Sequence, residues 1–91
     1  MKNLPPNISP YKRTDVFDET TIPKGLLSNH STKEGVWGKI NIVEGRLLYR
    51  IEAEEVEEVE LSIDRFGVVE PQVLHSVAPI GRVKFFVEFL K

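Results

Sequence analysis

The chain has no cysteine, so it can form no disulfide and offers neither a thiolate nucleophile nor a thiolate metal ligand. It has no apolar run near the roughly 20 residues that span a bilayer. Its opening, MKNLPPNISP, is too polar and proline-rich for a secretory leader. A basic surplus is missing as well: the net charge is −2, which gives no general field for nucleic acid. Neither a G-x-S-x-G elbow nor a phosphate-binding glycine loop occurs, because the spacing of Gly35 and Gly38 fits neither GxGxxG nor GKS/GKT. Ser31 and Ser76 each adjoin a histidine, but neighbours on a strand leave opposite faces and make poor nucleophile–base pairs. These absences set the expectation of a cytoplasmic protein that binds no membrane, no nucleic acid and no nucleotide cofactor.

What remains is a short chain, 91 residues, of which 41% are hydrophobic and spread over short runs. That length suits one domain, which at this size buries only a little over about 60% of its unfolded surface and gains from a partner subunit. Residues 1–10 carry three of the six prolines and no periodic pattern, so they read as an arm preceding a domain over 11–91. Within that domain apolar residues alternate. Leu47, Tyr49 and Ile51 share one face; Val36, Ile40 and Ile42 share another, with Trp37, Lys39 and Asn41 between them. Phe85, Val87 and Phe89 form a core face, opposite Lys84, Phe86 and Glu88. A period of two is the signature of strands. Glu44-Gly45 is expected to make a tight hairpin, and Asp64 and Arg65, before Phe66-Gly67, the next reversal. Several short strands at this spacing predict an all-β fold, a sandwich or small barrel of antiparallel strands.

Six glutamates fall between Glu52 and Glu60. They have good helix propensity, yet their alternating flanks favour a solvated hairpin over either a helix or a metal-binding run.

Two stretches carry a resemblance. One is Gly25 to Ile40, with His30, Thr32, Lys33, Gly35, Trp37 and Gly38 forming an H-x-T-K-x-G-x-W-G run. The other is Gly67 to His75, GVVEPQVLH. Together with Tyr11 to Thr14, Val43 to Leu47 and Phe86 to Phe89, they resemble the cupin-type domain found at the N-terminus of TehB tellurite-resistance proteins and in YeaR-like proteins. The resemblance implies a cupin-like jelly roll with an internal pocket, in which a divalent metal is usual; zinc, iron, nickel and manganese are not distinguished. His75 fits the histidine of the second cupin motif and Gly45 the turn glycine of the first. The usual H-x-H pair is missing, because Thr32 stands two residues after His30, and the motif glutamate falls at about Gly38.

A metal site would therefore need His30, His75 and a carboxylate, a two-histidine, one-carboxylate set. Glu70, in the turn that feeds His75, is the first choice; Glu34 and Glu88 are the alternatives. His30, His75, Glu70 and Trp37 are the expected pocket residues. The resulting expectation is a small-ligand or metal-binding module of the tellurite/oxyanion-stress type, without the methyltransferase domain of TehB. The competing readings are a metal-dependent cupin enzyme, dioxygenase- or isomerase-like, and a homodimerisation domain using Phe86 and Trp37.

Overall fold

A computed structural model describes residues 1–91. Six strands and one 3-10 turn follow in order: β1 (Pro10–Arg13), β2 (Phe17–Asp18), the turn Lys24–Leu26, β3 (Trp37–Glu52), β4 (Val56–Leu61), β5 (Gly67–Val69) and β6 (Leu74–Leu90). All strand pairings are antiparallel. The long strands β3 and β6, of 16 and 17 residues, pair along nearly their whole lengths and form the spine of the sheet. On the outer side of β3 lie β5 and β4; on the outer side of β6 lie β1 and β2.

Glu44-Gly45 is not the expected hairpin. β3 runs straight through it, and the pairing with β6 instead breaks register there, skipping Val43 in β3 and Gly81 and Arg82 in β6. Such a β-bulge bends a strand and sharpens its twist. One inserted residue also exchanges the two faces of a strand. Accordingly the buried residues of β3 are Ile40 and Ile42 before the bulge, but Leu47, Tyr49 and Ile51 after it. Two inserted residues preserve the faces, and from His75 to Val87 the buried set of β6 stays on odd numbers: His75, Val77, Val83, Phe85 and Val87. Leu90, at the end of the strand, is buried outside that core cluster. Both halves of each spine strand thus feed one core, a single cluster holding Ile40 and Ile42 together with Leu47, Tyr49 and Phe85. The bent sheet folds over as a small all-β sandwich.

Two other expectations held. The glutamate-rich segment is a hairpin between β3 and β4, with Arg50 bridging Glu52 and Glu58 on its solvated side. Ser62 and Arg65 close the next reversal through reciprocal backbone hydrogen bonds. The N-terminal arm is docked against the domain: Ser9 and Lys91 exchange backbone hydrogen bonds, and Met1 packs against the core. Phe86 is half-buried beneath the Arg13 guanidinium, 4.1 Å from its ring centre. No helix is long and apolar enough to cross a membrane.

Candidate functional site

Between the curled sheet and the segment preceding β3 lies a cavity of about 530 Å³. Its floor is apolar and comes from the inner face of the sheet: Ile40, Val69, Val77, Phe85, Val87 and Phe89. Phe17 and Leu26 close one side, and His30 and His75 lie together in the wall.

The backbone explains why two histidines so distant in sequence meet. His30 N–H donates to the His75 carbonyl at 3.0 Å, and His75 N–H donates back to the His30 carbonyl at 2.8 Å. Residues paired in this way stand directly opposite and project on the same side of the sheet. Their rings follow, with centroids 4.0 Å apart. The Tyr49 ring meets His75 edge-on at 5.8 Å, and its hydroxyl donates to the Val68 carbonyl at 2.9 Å, tying the second half of β3 to β5. Burial, with help from Glu70 and Glu57, pushes the Tyr49 phenol far up, so the hydroxyl keeps its proton.

Both imidazoles have a defined proton position. His75 Nδ1 lies 3.1 Å from the Val73 carbonyl and His30 Nδ1 lies 3.3 Å from the Ser28 carbonyl. A carbonyl only accepts, so Nδ1 carries the hydrogen in each ring and a neutral ring keeps its lone pair on Nε2. Burial drives the His75 pKa down to about 4, the Val73 carbonyl opposes the shift, and His30 adds to it. His75 is therefore neutral at pH 7. It is 4% exposed, yet no buried polar side-chain atom in the molecule lacks a partner. Its Nε2 makes no hydrogen bond within the chain, which leaves it at the cavity surface as an acceptor.

The carboxylates expected beside the histidines are elsewhere, and the alternation of strands gives the reason. Val69 lines the cavity, so Glu70, the next residue, leaves the other face and pairs with Lys2 at 3.5 Å. Phe89 lines it, so Glu88 faces away and accepts from Asn41 Nδ2 at 2.9 Å. Gly38 lines it, so Trp37 is on the opposite face, half-buried beside Leu90. Glu34 is exposed in the turn before β3. A side chain added at Gly38, where the cupin motif would place its glutamate, would press on Val69 Cβ at 3.0 Å. The His30–His75–Glu70 set is thus not assembled, and nowhere do three or more His, Asp or Glu side chains gather as metal ligands do. The residues present do not fit a metal centre of the expected kind.

Sequence reasoning missed Lys12, Lys33, Phe17, Leu26 and Tyr49 as parts of the site or its support. Tyr49 is one of several alternating core residues, and the two lysines lie in polar stretches that only the folded topology brings to one cavity.

Residues 12–87 match the model of the TehB-like domain. Over 75 residues the chain is 30% identical to proteins of two Haemophilus influenzae strains named "Probable S-adenosyl-L-methionine-dependent methyltransferase TehB". That match takes in 78% of this chain but 26% of each relative, so the chain spans about a quarter of their length. The crystal structure of TehB from Haemophilus influenzae superposes with a TM-score of 0.84 at 26% identity, covering 91% of this chain and 31% of that one. A crystal structure of an Escherichia coli K12 protein shares the fold over its whole length, with a TM-score of 0.87 at 20% identity, 100% of this chain and 97% of that one. With most of its length under the family model, and the same sandwich in TehB itself, the chain belongs to the TehB-like domain family.

Proposed function

We propose that this chain is a cupin-like small-ligand-binding module of the tellurite/oxyanion-stress group, acting by binding rather than by catalysis. One observation carries the reading: a cavity of about 530 Å³ with an apolar floor and, in its wall, a neutral histidine whose Nε2 has no partner within the chain. Small-molecule sites have this make-up, roughly 300–1,000 Å³ of mainly apolar surface with a few placed polar groups. The enzyme alternative calls for a metal with open positions, and the cavity wall supplies two imidazoles without a third ligand.

Ligand-observed NMR with a library of small organic fragments tests the proposal, run on the wild-type chain and on Leu26→Trp. Leu26 is a half-buried lining residue, so a larger ring there fills the cavity from its margin. Binding to the wild type that is lost in the folded Leu26→Trp variant is the expected outcome. Fragments that bind both proteins equally would place the site elsewhere.

A further inference from the structure

We propose, resting on the ligand-binding reading above, that the cavity is built for a small hydroxylated organic acid. Its apolar body would lie on the floor, its hydroxyl would donate to His75 Nε2, and its carboxylate would lie between Lys12 and Lys33.

The charge distribution carries the argument. The chain has fourteen Asp and Glu residues, two more than its Lys and Arg. Not one of the fourteen is among the twenty residues lining the cavity, whereas Lys12 and Lys33 both are. Neither lysine is in an ion pair, although the surface carries several such pairs. Both are exposed, so they define a positive, solvated margin above an uncharged interior. A carboxylate held at that margin keeps part of its hydration, which full burial would strip.

The interior asks for something different. With Nδ1–H given to the Val73 carbonyl, His75 offers only a lone pair, so its partner must donate. A carboxylate or sulfate oxygen cannot do that; a hydroxyl can. The hydroxyl of Thr32 is committed to the Val36 carbonyl, and that of Thr14 accepts from Val87 N–H and donates to the Asp15 carbonyl. The wall therefore reads as an acceptor at depth, the two lysines with the exposed Tyr11 and Ser31 hydroxyls at the mouth, and hydrocarbon between them.

Calorimetric titration of the full chain with matched probes tests this: 4-hydroxyphenylacetate, its amide, phenylacetate, 2-hydroxy-4-methylpentanoate, its amide, and sulfate. At low salt at least one hydroxy acid should bind about threefold to tenfold tighter than its amide, the range expected of two partly exposed ion pairs. That advantage should vanish in Lys12→Gln/Lys33→Gln, whose exposed positions leave the fold intact, and should shrink as salt is added. 4-Hydroxyphenylacetate should outbind phenylacetate in the wild type and match it in His75→Phe. Amides that bind as well as acids, an acid preference that survives loss of both lysines, or sulfate binding as tightly as the organic acids would overturn this inference and leave the cavity reading standing. Failure of every probe, amides included, would overturn both.

Discussion

Gly45→Ala would place a methyl group where the backbone of β6 already lies. Gly45 has φ +79°, so any L-residue there incurs about 1–2 kcal/mol for the left-handed conformation. Its added Cβ would also collide with the Arg82 carbonyl oxygen and crowd Val83 Cα. Relief requires β3 and β6 to separate at the bulge, with loss of at least one ladder hydrogen bond worth about 1 kcal/mol. The two effects sum to about 2–3 kcal/mol, or a fall in Tm of about 8–24 °C for a domain this small. Gly81→Ala is the built-in control. Its φ is +66°, but nothing lies within 4 Å of the added Cβ, so only the conformational cost applies. Urea unfolding of both variants, with unchanged m-values, should give Gly45→Ala a loss about 1 kcal/mol or more above that of Gly81→Ala. Equal losses would refute the claim that close approach of the two spine strands, and not φ alone, demands glycine at the bulge.

Three further outcomes are expected. Because burial holds the His75 pKa at about 4 against 6.5 unfolded, its contribution is whole above pH 6.5 and is lost as pH falls from there through 4. The loss is on the order of 3 kcal/mol at most, and stability measured against pH should flatten over that window in His75→Phe. Tyr49→Phe leaves the buried Val68 carbonyl without its donor and should cost about 1–3 kcal/mol by urea unfolding, with the sandwich intact by circular dichroism. S-adenosylmethionine should give no heat when titrated into this chain, which matches about a quarter of the named methyltransferases and carries no glycine-rich nucleotide loop; saturable binding would contradict the separation of this module from methyl transfer.

Much of the sheet was legible because alternation reports which face is buried. Leu47, Tyr49 and Ile51, and likewise Phe85 and Val87, are buried as their spacing predicts. The hairpin at Glu44-Gly45 was a misreading, since a glycine with positive φ serves a turn and a bulge equally. The distinguishing signal was in the sequence: the apolar residues move from even positions at Ile40 and Ile42 to odd ones at Leu47 and Tyr49, as a single inserted residue requires. The pairing of His30 with His75 depends on two segments 45 residues apart and had no local signature. Glu70 was chosen for its nearness to His75 along the chain. On a strand, however, the inward position of Val69 already turns its neighbour outward.

The central claim is that His75 is a neutral, Nδ1-protonated imidazole presenting Nε2 to a cavity that takes a small ligand. A long-range ¹H–¹⁵N spectrum of the two histidines at pH 7, recorded alone and with a cavity-binding hydroxy acid, tests it most directly. For His75 the account predicts a protonated Nδ1 and an unprotonated Nε2 in the free chain, with the Nε2 resonance moving as the acid binds. A His75 ring with its proton on Nε2 or doubly protonated at pH 7, or a His75 Nε2 that does not respond to the bound acid, would contradict it.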